Sequence, residues 1–228
     1  MPAILCVFAH PDDEAFGCSA TLARYAAQGV PVDLLTFTPG QHGERPAPLH
    51  SPDELKALRT RELQASARVV GARSVQVLDY VDGALAEVDT AELASIVASC
   101  IDRTRATAVI TFGPLGVTRH PDHIATHSAV AMALQGRRGT PAVFYPVPEG
   151  AIEELRIEGP EAYATHRIPT DGFLETKLIS LACHSSQRDA RDFFLHLLSR
   201  PPAFEAFHRA APPFQSSTPA RDLFEDQP

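Results

Sequence analysis

Short unbroken apolar runs alternate along the chain with segments whose apolar residues recur every three or four positions, a pattern that predicts strand and helix in turn. Ile4 to Ala9 reads as a strand buried on both faces, and Ala15 to Gln28 as a helix with Leu22, Tyr25 and Ala26 on one side before Gly29. Val30 to Thr38 is a second strand. Pro39, Gly40, Gly43, Pro46 and Pro48 then interrupt the backbone with a loop long enough to border a site. Ser51-Pro52-Asp53-Glu54 joins a capping serine, a first-turn proline and an acid at the third position, so a helix is expected to about Val70, with Gly71 as its stop.

Val75 to Tyr80 and Ala108 to Phe112 continue the strands, with a helix over Thr90 to Arg103 between them. A helix over Ile124 to Leu134 and a strand over Ala142 to Tyr145 follow. This order predicts an α/β, Rossmann-like fold: a mostly parallel sheet with helices on both faces. Beyond Pro146 the order is less regular, though Phe173 to Cys183 and Asp189 to Leu198 keep helical spacing. Pro201-Pro202, Pro212-Pro213 and Pro219 argue against a regular element in the last stretch. Residues 1–200 are therefore expected to form one domain, with 201–228 a proline-rich tail that either packs as an extended segment or stays mobile.

Composition narrows the partners. A formal charge of −8 argues against a nucleic-acid partner, because such affinity comes largely from Lys and Arg neutralising phosphates. No apolar run reaches the roughly 18–20 residues of a bilayer span, and the start lacks the pattern of a signal peptide, so a cytoplasmic location is expected. Cys6, Cys18, Cys100 and Cys183 are scattered without a C-x-x-C pair and read as free, buried thiols.

The chemistry concentrates in two stretches beside expected strand ends, Ala9-His10-Pro11-Asp12-Asp13-Glu14 and His120-Pro121-Asp122-His123. The C-terminal ends of strands are where an open α/β sheet exposes its site. His10 and Asp13 leave the first strand together, and His123 from a neighbouring strand end completes a His/Asp/His set with open positions for water and substrate. Zinc suits those ligands, and so does ferrous iron, since two histidines and one carboxylate also form the non-haem iron triad. Asp12, next to a ligand but pointing elsewhere, is placed as general base; capping of the next helix, or ligation by Asp12 itself, stays open. Glu14 is read as a helix-end acid. His120 is placed to donate to an oxyanion or protonate a leaving amine, with Asp122 orienting or charging it. His127, lacking the glutamate of an HExxH helix, is read as structural or as supporting a ligand. Gln41, His42, Glu44 and Arg45 in the loop after the second strand are candidates for recognising substrate hydroxyls.

AHPDDE at 9–14 and HPDH at 120–123 resemble the paired motifs of the LmbE/PIG-L family of metal-dependent N-deacetylases. The resemblance implies zinc on His10, Asp13 and His123, Asp12 as base, and His120 with Asp122 supporting the tetrahedral oxyanion and amine departure. It implies removal of acetyl from an N-acetylated amino sugar or sugar conjugate, or amide hydrolysis of a small-thiol glycoside. The expected partner is thus a small-molecule sugar conjugate, with no nucleic acid and no membrane span, and assembly into a homo-oligomer left open. Arg59 to Gly71, Thr111-Phe112-Gly113-Pro114, Lys177 through His184 to Gln187, and Asp222-Leu223-Phe224 resemble the family more weakly. Thr118-Arg119 stands where some members carry Tyr-Gly before HPDH, so a tyrosine donor is missing there, and Tyr25, Tyr80, Tyr145 and Tyr163 are all open as substitutes. A ferrous oxygenase and a metal-stabilised sugar-binding protein without turnover are the rival readings.

Overall fold

In the computed structural model, residues 1–48, 51–197 and 204–225 are described. β1 (Ile4–Phe8) and β2 (Val32–Thr36) are buried along their whole length and pair in parallel. The single helix expected between them is two, α1 (Asp13–Gly17) and α2 (Ser19–Ala27), separated at Cys18. A buried ion pair explains the break. Lys177 Nζ donates to the Ala15 and Phe16 carbonyls ending α1, while the Glu205 carboxylate accepts the Ala20 and Thr21 N–H groups opening α2. Nζ and carboxylate are 2.5 Å apart. A cation at a helix C-terminus and an anion at a helix N-terminus both suit the local backbone dipoles.

α3 (Pro52–Val70) starts with the expected capping box on Ser51 and Glu54 and ends on Gly71 at φ 76°, where glycine avoids the steric cost of a side chain. β3 (Ser74–Val77), α4 (Thr90–Thr104) and β4 (Ala108–Ile110) follow as anticipated within a few residues. A short turn of helix, α5 (Gly116–Arg119), precedes α6 (Pro121–Leu134). α6 begins three residues before the expected Ile124, because Pro121 occupies its first position and the His120 imidazole caps it, accepting the Asp122 N–H.

β5 (Ala142–Val147), β6 (His166–Pro169), α7 (Leu174–Cys183), α8 (Arg188–Leu197) and β7 (Phe204–Ala211) complete the order. β7 corrects the expectation that the last stretch holds no regular element. It lies inside the sheet, antiparallel to both β5 and β6, with Phe207 and the later Leu223 fully buried. Proline removes a donor only at its own position, and Pro212-Pro213 lie beyond the strand. Leu198, Pro201 and Pro202, also named in those expectations, lie outside the described residues.

The described strands form one sheet in the order β3-β2-β1-β4-β5-β7-β6, the first five parallel. Helices pack around it in two groups, α4 with α6, and α2 and α3 with α7. The core runs through Leu22, Phe37, Leu63, Leu93, Ile110 and Phe144. Strand order reverses between β1 and β4, which opens a crevice at their C-terminal ends. Cys6, Cys18 and Cys100 are buried and Cys183 half-buried, all as free thiols.

Candidate active site

The turn that leaves β1 is tightly held. Asp12 has φ 129°, a region non-glycine residues rarely enter and one that costs about 1–3 kcal/mol to occupy. Two groups hold it there. Its N–H donates to Glu14 Oε2, and the Arg59 guanidinium from α3 donates to the Pro11 carbonyl, to Asp12 Oδ2 at 2.9 Å and to the Gly40 carbonyl. Glu14 is far more than a helix-end acid. Fully buried, it also accepts hydrogen bonds from Ser66 Oγ and His184 Nε2 at 2.6 and 2.7 Å. Burial works against its charge, but His184 overcomes that and holds the Glu14 carboxyl below its usual range, while Glu14 raises the pKa of His184 against the same burial.

At the crevice His10, Asp13 and His123 converge. His10 Nδ1 and His123 Nε2 are 3.2 Å apart, Asp13 Oδ2 is 3.7 Å from His10 Nδ1, and Asp13 Oδ1 is 3.5 Å from His123 Nε2. Tetrahedral ligand atoms at metal bonds of about 2.0–2.1 Å stand roughly 3.3–3.4 Å from one another. The two imidazoles are at that spacing, and Asp13 turns a different oxygen to each of them; His10 with His120 and His123, and His10 with Asp82 and Asp122, also bring ligand atoms within 4.8 Å of one another. The outer nitrogens of His10 and His123 are oriented as metal ligands need. His10 Nε2 faces Asp82 Oδ1 at 3.0 Å and Asp122 Oδ2 at 3.1 Å, and His123 Nδ1 faces the Gly116 carbonyl at 3.0 Å. Each of those nitrogens meets only acceptors and carries a proton, so in the neutral ring the inward nitrogen has the lone pair a metal needs, and His10 must give up its second proton to bind one.

The same contacts set the protonation of the cluster. Burial disfavours a charged His10, but its bonds to Asp122 and Asp82 and the charge of Asp13 outweigh this and raise its pKa to about 10. His123 is pushed down to about 3 by burial and by the charge on His10, and Asp13 up to about 7 chiefly by burial. For Asp12, burial outweighs the Arg59 charge and lifts the carboxyl above its usual range.

His120 borders the same space, its ring 4.8 Å from that of His10 and 4.9 Å from that of His123. Its Nδ1 accepts the Asp122 N–H, so in the neutral ring Nε2 is the donor. The Asp122 carboxylate acts on His120 through its charge and not through a bond, because it is bonded to His10 and to the N–H groups of Gly83 and Leu85. The reason is its place in the first turn of α6, where the side chain reaches back under the neighbouring loop.

Of the four loop candidates, only His42 borders the cavity, which has a volume of about 600 Å³. Gln41 donates to the Tyr80 carbonyl, Glu44 accepts the Arg188 and Asp189 N–H groups at the start of α8, and Arg45 is exposed outside the lining. His127 binds the Phe112 carbonyl away from the cluster. None of the four tyrosines lines the cavity: the Tyr25 hydroxyl donates to Asp222 and that of Tyr80 to Glu92. Asp82, a direct partner of His10, was missed by sequence reasoning. Its signal was the Asp82-Gly83 turn after β3, another strand end in the same crevice.

Comparison with known proteins bears on this geometry. The family model described as PIG-L, GlcNAc-PI de-N-acetylase, matches residues 5–134. The chain belongs to the PIG-L family. A probable N-acetyl-α-D-glucosaminyl L-malate deacetylase 2 of Bacillus anthracis is 30% identical over 190 residues, covering 81% of this chain and 80% of that protein. A 1D-myo-inositol 2-acetamido-2-deoxy-α-D-glucopyranoside deacetylase of Kineococcus radiotolerans is 34% identical over 203 residues, with 74% of this chain and 56% of that protein covered. Among solved structures, N,N′-diacetylchitobiose deacetylase from Pyrococcus horikoshii shares the fold at a TM-score of 0.69 and 21% identity, covering 90% of this chain and 82% of that one. So does the 4-carboxy-2-hydroxymuconate hydratase GalB from Pseudomonas putida, at 0.75 and 19%, covering 95% and 99%. The PIG-L match spans both histidine motifs, and among the described residues no helix is long and apolar enough to cross a membrane.

Proposed function

We propose that the chain is a zinc-dependent hydrolase that removes the acetyl group from an N-acetylated amino sugar conjugate. The observation that carries this is the convergence of His10, Asp13 and His123, the two imidazoles at ligand spacing, beside an Asp12 carboxylate turned to Arg59. A divalent cation held by those three residues supplies a polarised amide carbonyl and an acidified water. Asp12 takes the proton of the attacking water, its basicity raised by burial and its position fixed by Arg59. His120 Nε2 donates to the oxygen that becomes negative when the carbonyl turns tetrahedral. Asp82 and Asp122 orient His10 and keep its Nε2 protonated. The proton taken up by Asp12 passes to the departing nitrogen, and acetate and a free amine leave. The proposed location is the cytoplasm.

Purified chain loaded with zinc is expected to release acetate from N-acetylglucosamine conjugates. Asp12→Asn is expected to retain its zinc and lose about 10²–10⁴-fold in kcat. Full turnover by that variant would remove Asp12 from its role, and absence of acetate release by the zinc-loaded parent across such conjugates would overturn the reading.

A further inference from the structure

The cavity that contains the cluster has two unlike halves. The polar half is built from strand ends within residues 5–134, the span of the family match. The other half is carbon: Phe16, Pro146 and Val147 of β5, Leu155, Phe193 of α8 and Phe204 of β7. All but Phe16 lie outside that span.

The polar side chains on the carbon half already have partners. Glu149 takes a bidentate bond from Arg167, Lys177 is held by Glu205 and two carbonyls, and Gln187 bonds the backbone of Glu44 at both ends of its amide. Among the described residues of this half, no cation remains for a carboxylate ligand and no donor array for a polyol. The relatives' names specify such aglycones, L-malate in one and myo-inositol in the other. Buried here, either would lose its hydrogen bonds to water without replacement. A hydrocarbon would lose no hydrogen bond and gain the transfer free energy.

We infer that the substrate of this chain is an N-acetylated amino sugar with an apolar aglycone of several carbons, seated on the wall of Phe16, Val147, Leu155, Phe193 and Phe204. This rests on the deacetylase reading above, and because the acyl group of that reading is acetyl, the hydrocarbon belongs to the aglycone. A buried methylene is worth about fourfold in affinity. Ordering of the chain takes back part of that, so a preference of at least about tenfold is expected for octyl over methyl.

The test uses the full chain loaded with zinc and two readouts. Amine release gives kcat/KM for the methyl, n-octyl, L-malate and myo-inositol glycosides of N-acetylglucosamine and for the methyl glycoside of N-octanoylglucosamine. Calorimetry gives the affinity of the deacetylated methyl and n-octyl glucosaminides, which are not consumed. The octyl glycoside is expected to lead in both readouts. Leu155→Ser and, separately, Phe204→Ser are expected to cut the octyl-to-methyl ratio by at least about threefold, roughly the worth of one buried methylene. Equal values for octyl and methyl, or faster turnover of the malate, inositol or N-octanoyl compound, would overturn the inference while leaving a deacetylase in place. Tighter octyl binding with no amine release from any compound would sustain the apolar wall and sink the deacetylase reading instead.

Discussion

The two halves of the cavity are held by different forces. Around His10 nearly every polar atom has a defined partner, from Asp82, Asp122 and Asp13 to Arg59 and Glu14, so a displaced atom would leave a buried charge uncompensated. The wall of Leu155, Phe193 and Phe204 depends on shape and dispersion, which tolerate volume-conserving changes. The chemistry is thus fixed by a few directional contacts at parallel strand ends, and the fit of the aglycone by a surface that can vary without disturbing them. GalB makes the same point from outside: a similar fold carries a hydratase name, so the reaction is argued from the site.

The Lys177–Glu205 pair joins the halves, since both residues come from the C-terminal part yet set the break between α1, which begins at Asp13, and α2. Lys177→Met should have the largest effect on stability. Leaving Glu205 buried and unpaired is expected to cost about 3–5 kcal/mol. Chemical denaturation reads this directly, and Lys177→Met/Glu205→Gln should recover part of it. A loss under about 1 kcal/mol would show that the halves are held together by other contacts.

Asp122→Asn should act next most strongly, within the polar half alone. It weakens the orientation of His10, so zinc affinity is expected to fall about 10–100-fold, as read by competition with a chelator. An unchanged affinity would contradict the assignment of that carboxylate to His10.

The third effect depends on pH. Raised from 6.5 to about 10, the pKa of His10 in the zinc-free fold exceeds its ordinary value. Its contribution to stability is then full below about pH 6.5 and fades as the pH climbs through about 10. Melting of zinc-stripped chain between pH 6 and 10 should show this loss, and zinc uptake near pH 7.5 should release at least one proton in calorimetry across buffers of different ionisation enthalpy. Uptake without proton release would contradict a charged His10.

Gln41→Ala should do least. Its side chain is turned to the Tyr80 carbonyl, so KM is expected to change by no more than about twofold, the scale of a surface substitution. A tenfold rise would return the residue to the substrate.

What was legible in the sequence follows the range of the forces involved. The capping box at Ser51, the Gly71 stop and the parallel strands from β1 to β5 depend on local spacing and were readable. Convergence of His10, Asp13 and His123 followed from two short motifs and the rule that sites lie at strand ends. Missed features involve partners distant in sequence. The split at Cys18 needs Lys177 and Glu205, the burial of Glu14 needs Ser66 and His184, and the place of Asp82 needs β3 beside β2. β7 was hidden because its flanking prolines outweighed the strand between them, and of the loop candidates His42 borders the cavity while Gln41 and Glu44 bond their own surroundings.

X-ray absorption and anomalous diffraction at the zinc edge of the zinc-loaded chain test the core of this reading most directly. One ion is expected, bound by His10 Nδ1, His123 Nε2 and an Asp13 oxygen at about 2.0–2.2 Å, with Asp12 on Arg59 and outside the coordination sphere. Zinc found elsewhere, or bound through the Asp12 carboxylate, would contradict it.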